Sequence, residues 1–117
     1  MTDSELQERM DEAIRLIREA IAERGGLLEM DKKPDFRWAG KARLPTGGRL
    51  MLSTRKTGKQ AAPGDTKAVI EASADLVFEG RLIARLLFFS TKTDVELPGG
   101  TRKPFGNAGI ARAFEAL

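Results

Sequence analysis

Residues 67–90 read KAVIEASADLVFEGRLIARLLFFS, two β-rich runs on either side of Glu79-Gly80. In the first run Ile70, Ala72, Ala74, Leu76 and Phe78 occupy even positions, and in the second Leu82, Ala84, Leu86 and Phe88 do. Strand side chains alternate with a period of two. An antiparallel hairpin in which even faces even therefore has one wholly apolar side. That parity needs a loop of odd length. A three-residue loop Phe78-Glu79-Gly80, with Gly80 in the left-handed conformation, supplies it. The opposite side then carries Glu71, Asp75, Arg81 and Arg85 together with Val77, Ile83, Leu87 and Phe89.

A second hairpin precedes it. In 36–44, Phe36, Trp38, Gly40, Ala42 and Leu44 alternate with Arg37, Ala39, Lys41 and Arg43. This is the pattern of a half-buried strand. A three-residue loop Thr46-Gly47-Gly48, with Gly48 at positive φ, sets Leu50 and Leu52 on the side of Trp38 and Ala42. Arg49 and Arg55 then join Arg37, Lys41 and Arg43 on the other side. A loop of two or four residues would set the leucines against the basic groups.

Helices flank the hairpins. Over residues 3–24, Leu6, Met10, Ala13, Ile14, Ile17, Ala20 and Ile21 form one stripe at helical spacing. Ser4 with Gln7, or Thr2 with Glu5, fits a capping box, and Gly25-Gly26 stops the helix. Near the other end Asn107 suits a cap, and Ile110, Phe114 and Leu117 share a face. Residues 27–30 suit a short extra strand. Residues 58–66 (GKQAAPGDT) and the Gly/Pro-rich 91–106 read as connections. The expectation is one domain over 1–117, a two-layer α+β fold in the order α-β-β-β-β-α. Its four-stranded antiparallel sheet of two hairpins has both helices on one face.

Composition removes much chemistry. The 117 residues contain no cysteine, histidine or tyrosine. Disulfides, Cys/His zinc sites, Ser-His-Asp and Cys-His nucleophiles and imidazole acid–base catalysis are all excluded. A cysteine-free chain suits a reducing cytoplasm. The N-terminus lacks the basic and apolar regions of a signal peptide, and the longest apolar run, 86–89, is far short of a membrane span. Ser53 to Gln60 resembles a phosphate loop, but Ser53 stands where the first glycine is needed and Gln60 where Ser or Thr is needed. Asp31 with Asp35, and Glu71 with Asp75, are carboxylate pairs without a further acid or base. Glu71 and Asp75 lie on the non-core face, near Arg85 or Ile83 depending on register, and cross-strand charge pairing explains them more simply. No metal, cofactor or enzymatic role is expected, although a site built from oxygen ligands alone stays open.

Charge is the main functional signal. Residues 1–31 hold nine acidic and four basic groups, net −5, residues 32–67 ten basic and two acidic, net +8, and residues 68–117 six of each. Arg37, Lys41, Arg43, Arg49 and Arg55 share one sheet face, with Lys56 and Lys59 near its end. Such a face suits the phosphate backbone of DNA or RNA. The alternative is an ordinary solvated face balanced by the acidic helix. The expectation is a small non-enzymatic nucleic-acid-binding protein. The other reading is a protein-interaction module, an inhibitor or adaptor, using the open sheet face and the charged first helix. Ile83, Leu87 and Phe89, rimmed by Arg85, would be that protein interface and would pair two copies into a homodimer. The 91–106 segment is the other candidate to cover them.

Overall fold

A computed structural model describes the backbone of residues 1–62 and 65–117, and the side chains of all of these except 59–68. Helix α1 (Asp3–Glu23) begins at a capping box. The Thr2 hydroxyl accepts from the Glu5 amide at 3.1 Å, and the Glu5 side chain answers the Thr2 amide. A cap of this kind stabilises by about 1 kcal/mol. The helix ends where Gly25 takes φ 82° and the Gly26 amide reaches back to the Ile21 carbonyl at 3.0 Å. Leu6, Met10, Ala13, Ile14, Ile17 and Ile21 are buried, as the stripe required.

The sheet is antiparallel, and helices stand at both ends of the chain, as expected for α+β. It has seven strands rather than four, adjacent in chain order: β1 (Glu29–Lys33), β2 (Arg37–Arg43), β3 (Arg49–Ala62), β4 (Asp65–Phe78), β5 (Arg81–Phe89), β6 (Thr93–Glu96) and β7 (Arg102–Pro104). Two corrections account for the three added strands, and a third lengthens β3 and β4. Residues 29–33 form a full edge strand, with Lys33 opposite Arg37. The expected 91–106 connection is a hairpin, closed by the Leu97 amide on the Thr101 carbonyl at 2.8 Å. Much of the expected 58–66 connection lengthens β3 and β4, with Gln60 opposite Ile70. Pro63 and Gly64 of that connection lie outside the described residues.

Both expected parities are present, each reached differently. In the β4–β5 hairpin Phe78 is opposite Arg81, and the turn has two residues, Glu79 (φ 49°) and Gly80 (φ 78°). Left-handed values at both positions mark the turn whose twist matches paired strands. A two-residue turn would oppose even to odd. A bulge restores the match: Val77 is opposite Leu82 but Leu76 is opposite Ala84, leaving Ile83 as the extra residue. Leu82 therefore moves to the open side, and Ile83 turns into the core. Even then faces even, with Ala74 opposite Leu86 and Ala72 opposite Phe88, until a second shift sets Ile70 opposite Phe89 and so carries Ile70 out of the expected even core side.

In the β2–β3 hairpin the loop is Pro45-Thr46-Gly47, closed by the Leu44 amide on the Gly48 carbonyl at 2.8 Å. Gly47, not Gly48, has positive φ (98°). Gly48 is needed for another reason: a Cβ there would lie 2.2 Å from the Phe78 ring. The buried side pairs Ala42 with Leu50 and Gly40 with Leu52.

Trp38, Leu50, Leu76 and Leu86 are buried in one core with the α1 stripe and with Ile110, Ala113 and Phe114 of α2 (Asn107–Phe114). Gly106, not Asn107, is the residue before α2, and no side chain caps it. The Arg9 guanidinium fastens α1 to the β5–β6 turn. It donates to the carbonyls of Phe89, of Lys92 at 3.0 Å and of Ser90 at 3.2 Å. Among the described residues no helix is long and apolar enough to cross a membrane.

Candidate nucleic-acid interface

The face of the sheet turned away from the helices is where the expected cations lie. Strand β2 alternates exposed and buried along its whole length, so Arg37, Lys41 and Arg43 all point outward. Arg49, Met51, Ser53 and Arg55 of β3 are exposed on the same side. The register fixes their neighbours. Arg43 is directly opposite Arg49, Lys41 opposite Met51, and Ala39 opposite Ser53. Arg37 and Arg55 lie two residues further along their strands.

The Arg43–Arg49 pair places like charges across adjacent strands, an arrangement unfavourable by several tenths of a kcal/mol. Arg37, Lys41, Arg43 and Arg49 have no ion-pair partner among the described residues. The nearest carboxylates are differently engaged. Glu29 sits opposite Lys41 on β1 without forming an ion pair. Glu79 accepts from the Arg49 backbone amide at 2.6 Å. On the outer side of β1, Asp31 and Lys33 hold each other at 3.9 Å.

On β4 to β7 the same face is neutralised. Asp75 accepts from Arg85 at 2.7 Å and lies 3.5 Å from Arg55. Arg85 is opposite Glu96, and Glu96 pairs with Arg102 at 3.1 Å. The hydrogen bond that Arg85 donates to Asp75 raises the Arg85 pKa above the ordinary guanidinium range. The ladder Arg55–Asp75–Arg85–Glu96–Arg102 thus crosses five strands.

Other expected site residues are placed elsewhere. Lys56 turns to the helix side, where it pairs with Asp3 at 3.1 Å and lies 5.4 Å above the Phe36 ring. It does not join the basic face. The Lys59 side chain lies outside the described residues. Ile83, Leu87 and Phe89 are not exposed: they retain 3%, 4% and 1% of their surface. The bulge carries Ile83 into the main core, while Leu87 and Phe89 pack with Ile70 in a second, smaller cluster. The surface expected to pair two copies is therefore already buried within one chain, and Arg85 beside it is held by Asp75.

Met51 is the residue that charge-based reading missed. It is 52% exposed among Lys41, Arg43 and Arg49, and it belongs to two open depressions. One, of about 420 Å³, runs past Val77 and Gly80, and the other, of about 480 Å³, runs past Leu27 and Glu29. Its odd position in a strand of even leucines was the available signal. The chain matches no protein-family model, no curated protein and no solved structure.

Proposed function

We propose that this chain is a small non-enzymatic protein that binds nucleic acid, holding the phosphate backbone against the β2–β3 face. One observation carries the reading: Arg43 directly opposes Arg49, with Lys41 alongside, and no ion pair among the described residues offsets them. An array of uncompensated guanidinium groups is a receptor for phosphate oxygens, which guanidinium binds in a two-pronged geometry. Affinity would come from phosphate neutralisation and counterion release, with little reading of base edges. A cytoplasmic setting goes with this reading.

The test is binding of labelled DNA and RNA fragments at low salt, followed by a salt titration. Affinity should fall steeply as salt rises. A variant with Arg37, Lys41 and Arg43 all changed to glutamate should lose binding and keep its fold, because these side chains point away from the core. Lack of any binding by the wild-type chain at low salt would sink the proposal. It would promote a protein-interaction module, which Met51 and the 71% exposed Leu27 would then serve as apolar contacts.

A further inference from the structure

We infer that the nucleic acid is a duplex, gripped by two separate cation clusters, rather than a single strand. This rests on the phosphate-binding reading above and names the form of its partner. The first cluster is Lys41, Arg43 and Arg49, and the second is Arg37 with Arg55, whose guanidinium is shared with Asp75 at 3.5 Å. Between them lie Ala39 and Ser53, directly opposite each other and uncharged.

Arg43 and Arg37 are six residues apart on one strand, a span of about 20 Å. Within that span the short Ala39 and Ser53, between Lys41 and Arg37, leave a trough with long side chains on either side. A duplex presents phosphates on the two rims of a groove, the major groove being about 12 Å wide. Cations at the two ends of the span reach both rims, and Ala39 and Ser53 face the groove mouth without groups long enough to read bases.

A single strand asks for something else. It binds best to a continuous basic track interleaved with aromatic rings, each stacked base contributing about 1–3 kcal/mol. Here the track is broken at Ala39 and Ser53, and no aromatic ring lies along it. Trp38 is buried on the helix side, Phe36 packs 6.0 Å from it, and the Phe89 ring is buried. The β2–β3 ribbon is also flanked by β1 and β4, so it lies across a groove as part of a wide face rather than entering one.

Fluorescence anisotropy on two-turn DNA and RNA duplexes, and on each of their separated strands, tests this. A preference of about tenfold or more for either duplex over its own strands is the expected result, since the strands lack stacking partners. Arg43→Glu with Arg49→Glu should lower the slope of log affinity against log salt by about 2 on the duplex, and Arg37→Glu with Arg55→Glu by about 1, because Asp75 already engages Arg55. Single strands binding as tightly as duplex would overturn the inference while leaving phosphate binding intact. No binding to any of the four would overturn the phosphate-binding reading itself. Circular dichroism of both double variants separates lost contacts from lost fold.

Discussion

The β2–β3 part of the open sheet face and the β4–β7 part both carry arginine in quantity, and they differ in what stands opposite it. On β4 to β7, Asp75 and Glu96 fall beside Arg85 and Arg102, and Asp75 also reaches Arg55. On β2 and β3, Arg43 falls opposite Arg49, and Lys41 opposite Met51. Exposed ion pairs contribute little stability, a median of about 0–1 kcal/mol. The effect of the ladder is on the field more than on the fold: it cancels charge over one part of the face and leaves it standing on the other. Register, rather than composition, decides which arginines remain available to an anion.

The largest expected effect addresses what the two parts share. Leu86→Ala opens a cavity under the centre of the sheet and should lower stability by about 2–5 kcal/mol in chemical denaturation. Binding per folded molecule should not change. A loss below about half a kcal/mol would contradict the even-to-even register.

Next comes reversal of the open cations. The Arg37, Lys41 and Arg43 to glutamate variant should weaken binding to DNA or RNA by at least about a hundredfold. Arg85→Glu with Arg102→Glu, made on the ladder side, should weaken it by less than about threefold. Equal losses from the two variants would dissolve the distinction between the two parts.

A smaller effect sharpens it. Asp75→Asn removes the carboxylate shared by Arg55 and Arg85, at a stability cost of about 1 kcal/mol. It should extend the basic area and steepen the salt dependence of binding by about one phosphate. Unchanged salt dependence would show that Arg55 does not approach the ligand. The smallest is Met51→Ser. As an exposed substitution it should change stability by less than about 0.5 kcal/mol. Binding measured by anisotropy should stay within about twofold. A large loss of nucleic-acid binding would make Met51 a contact residue.

Much of this is legible in the sequence. The α1 stripe, the apolar even side of both hairpins apart from Ile70 and Leu82, and the outward set Arg37, Lys41, Arg43, Arg49 and Arg55 follow from periodicity alone. What periodicity could not supply was the means of keeping parity. Glu79-Gly80 is a strong two-residue turn signal, and it conflicts with even-to-even pairing unless a bulge intervenes. Ile83 is that bulge, and so an apolar residue expected on the open side is core. The β6–β7 hairpin was hidden because Val95 is the one apolar residue in its four-residue first strand, too little to define a period. Pro98, Gly99 and Gly100 then read as loop when they form only the tip. Residues 58–62 hold no large apolar side chain, yet Gln60, Ala61 and Ala62 pair with β4.

The clasp between Arg9 and the β5–β6 turn joins groups 80 residues apart in the chain. Each strand, by contrast, pairs with the one made just before it. During synthesis the sheet can grow by successive short-range steps, while α1, made before the strands, waits for a surface to rest on. The capping box gives α1 a local start, but its stripe of Leu6, Met10, Ile14, Ile17 and Ile21 has no cover until the later strands exist. Closing a loop of that length is entropically costly and slows the step that depends on it. Helix α1 is thus made before the strands that cover it yet is among the last elements to be fixed, and a chain halted before Phe89 would leave that stripe without its clasp.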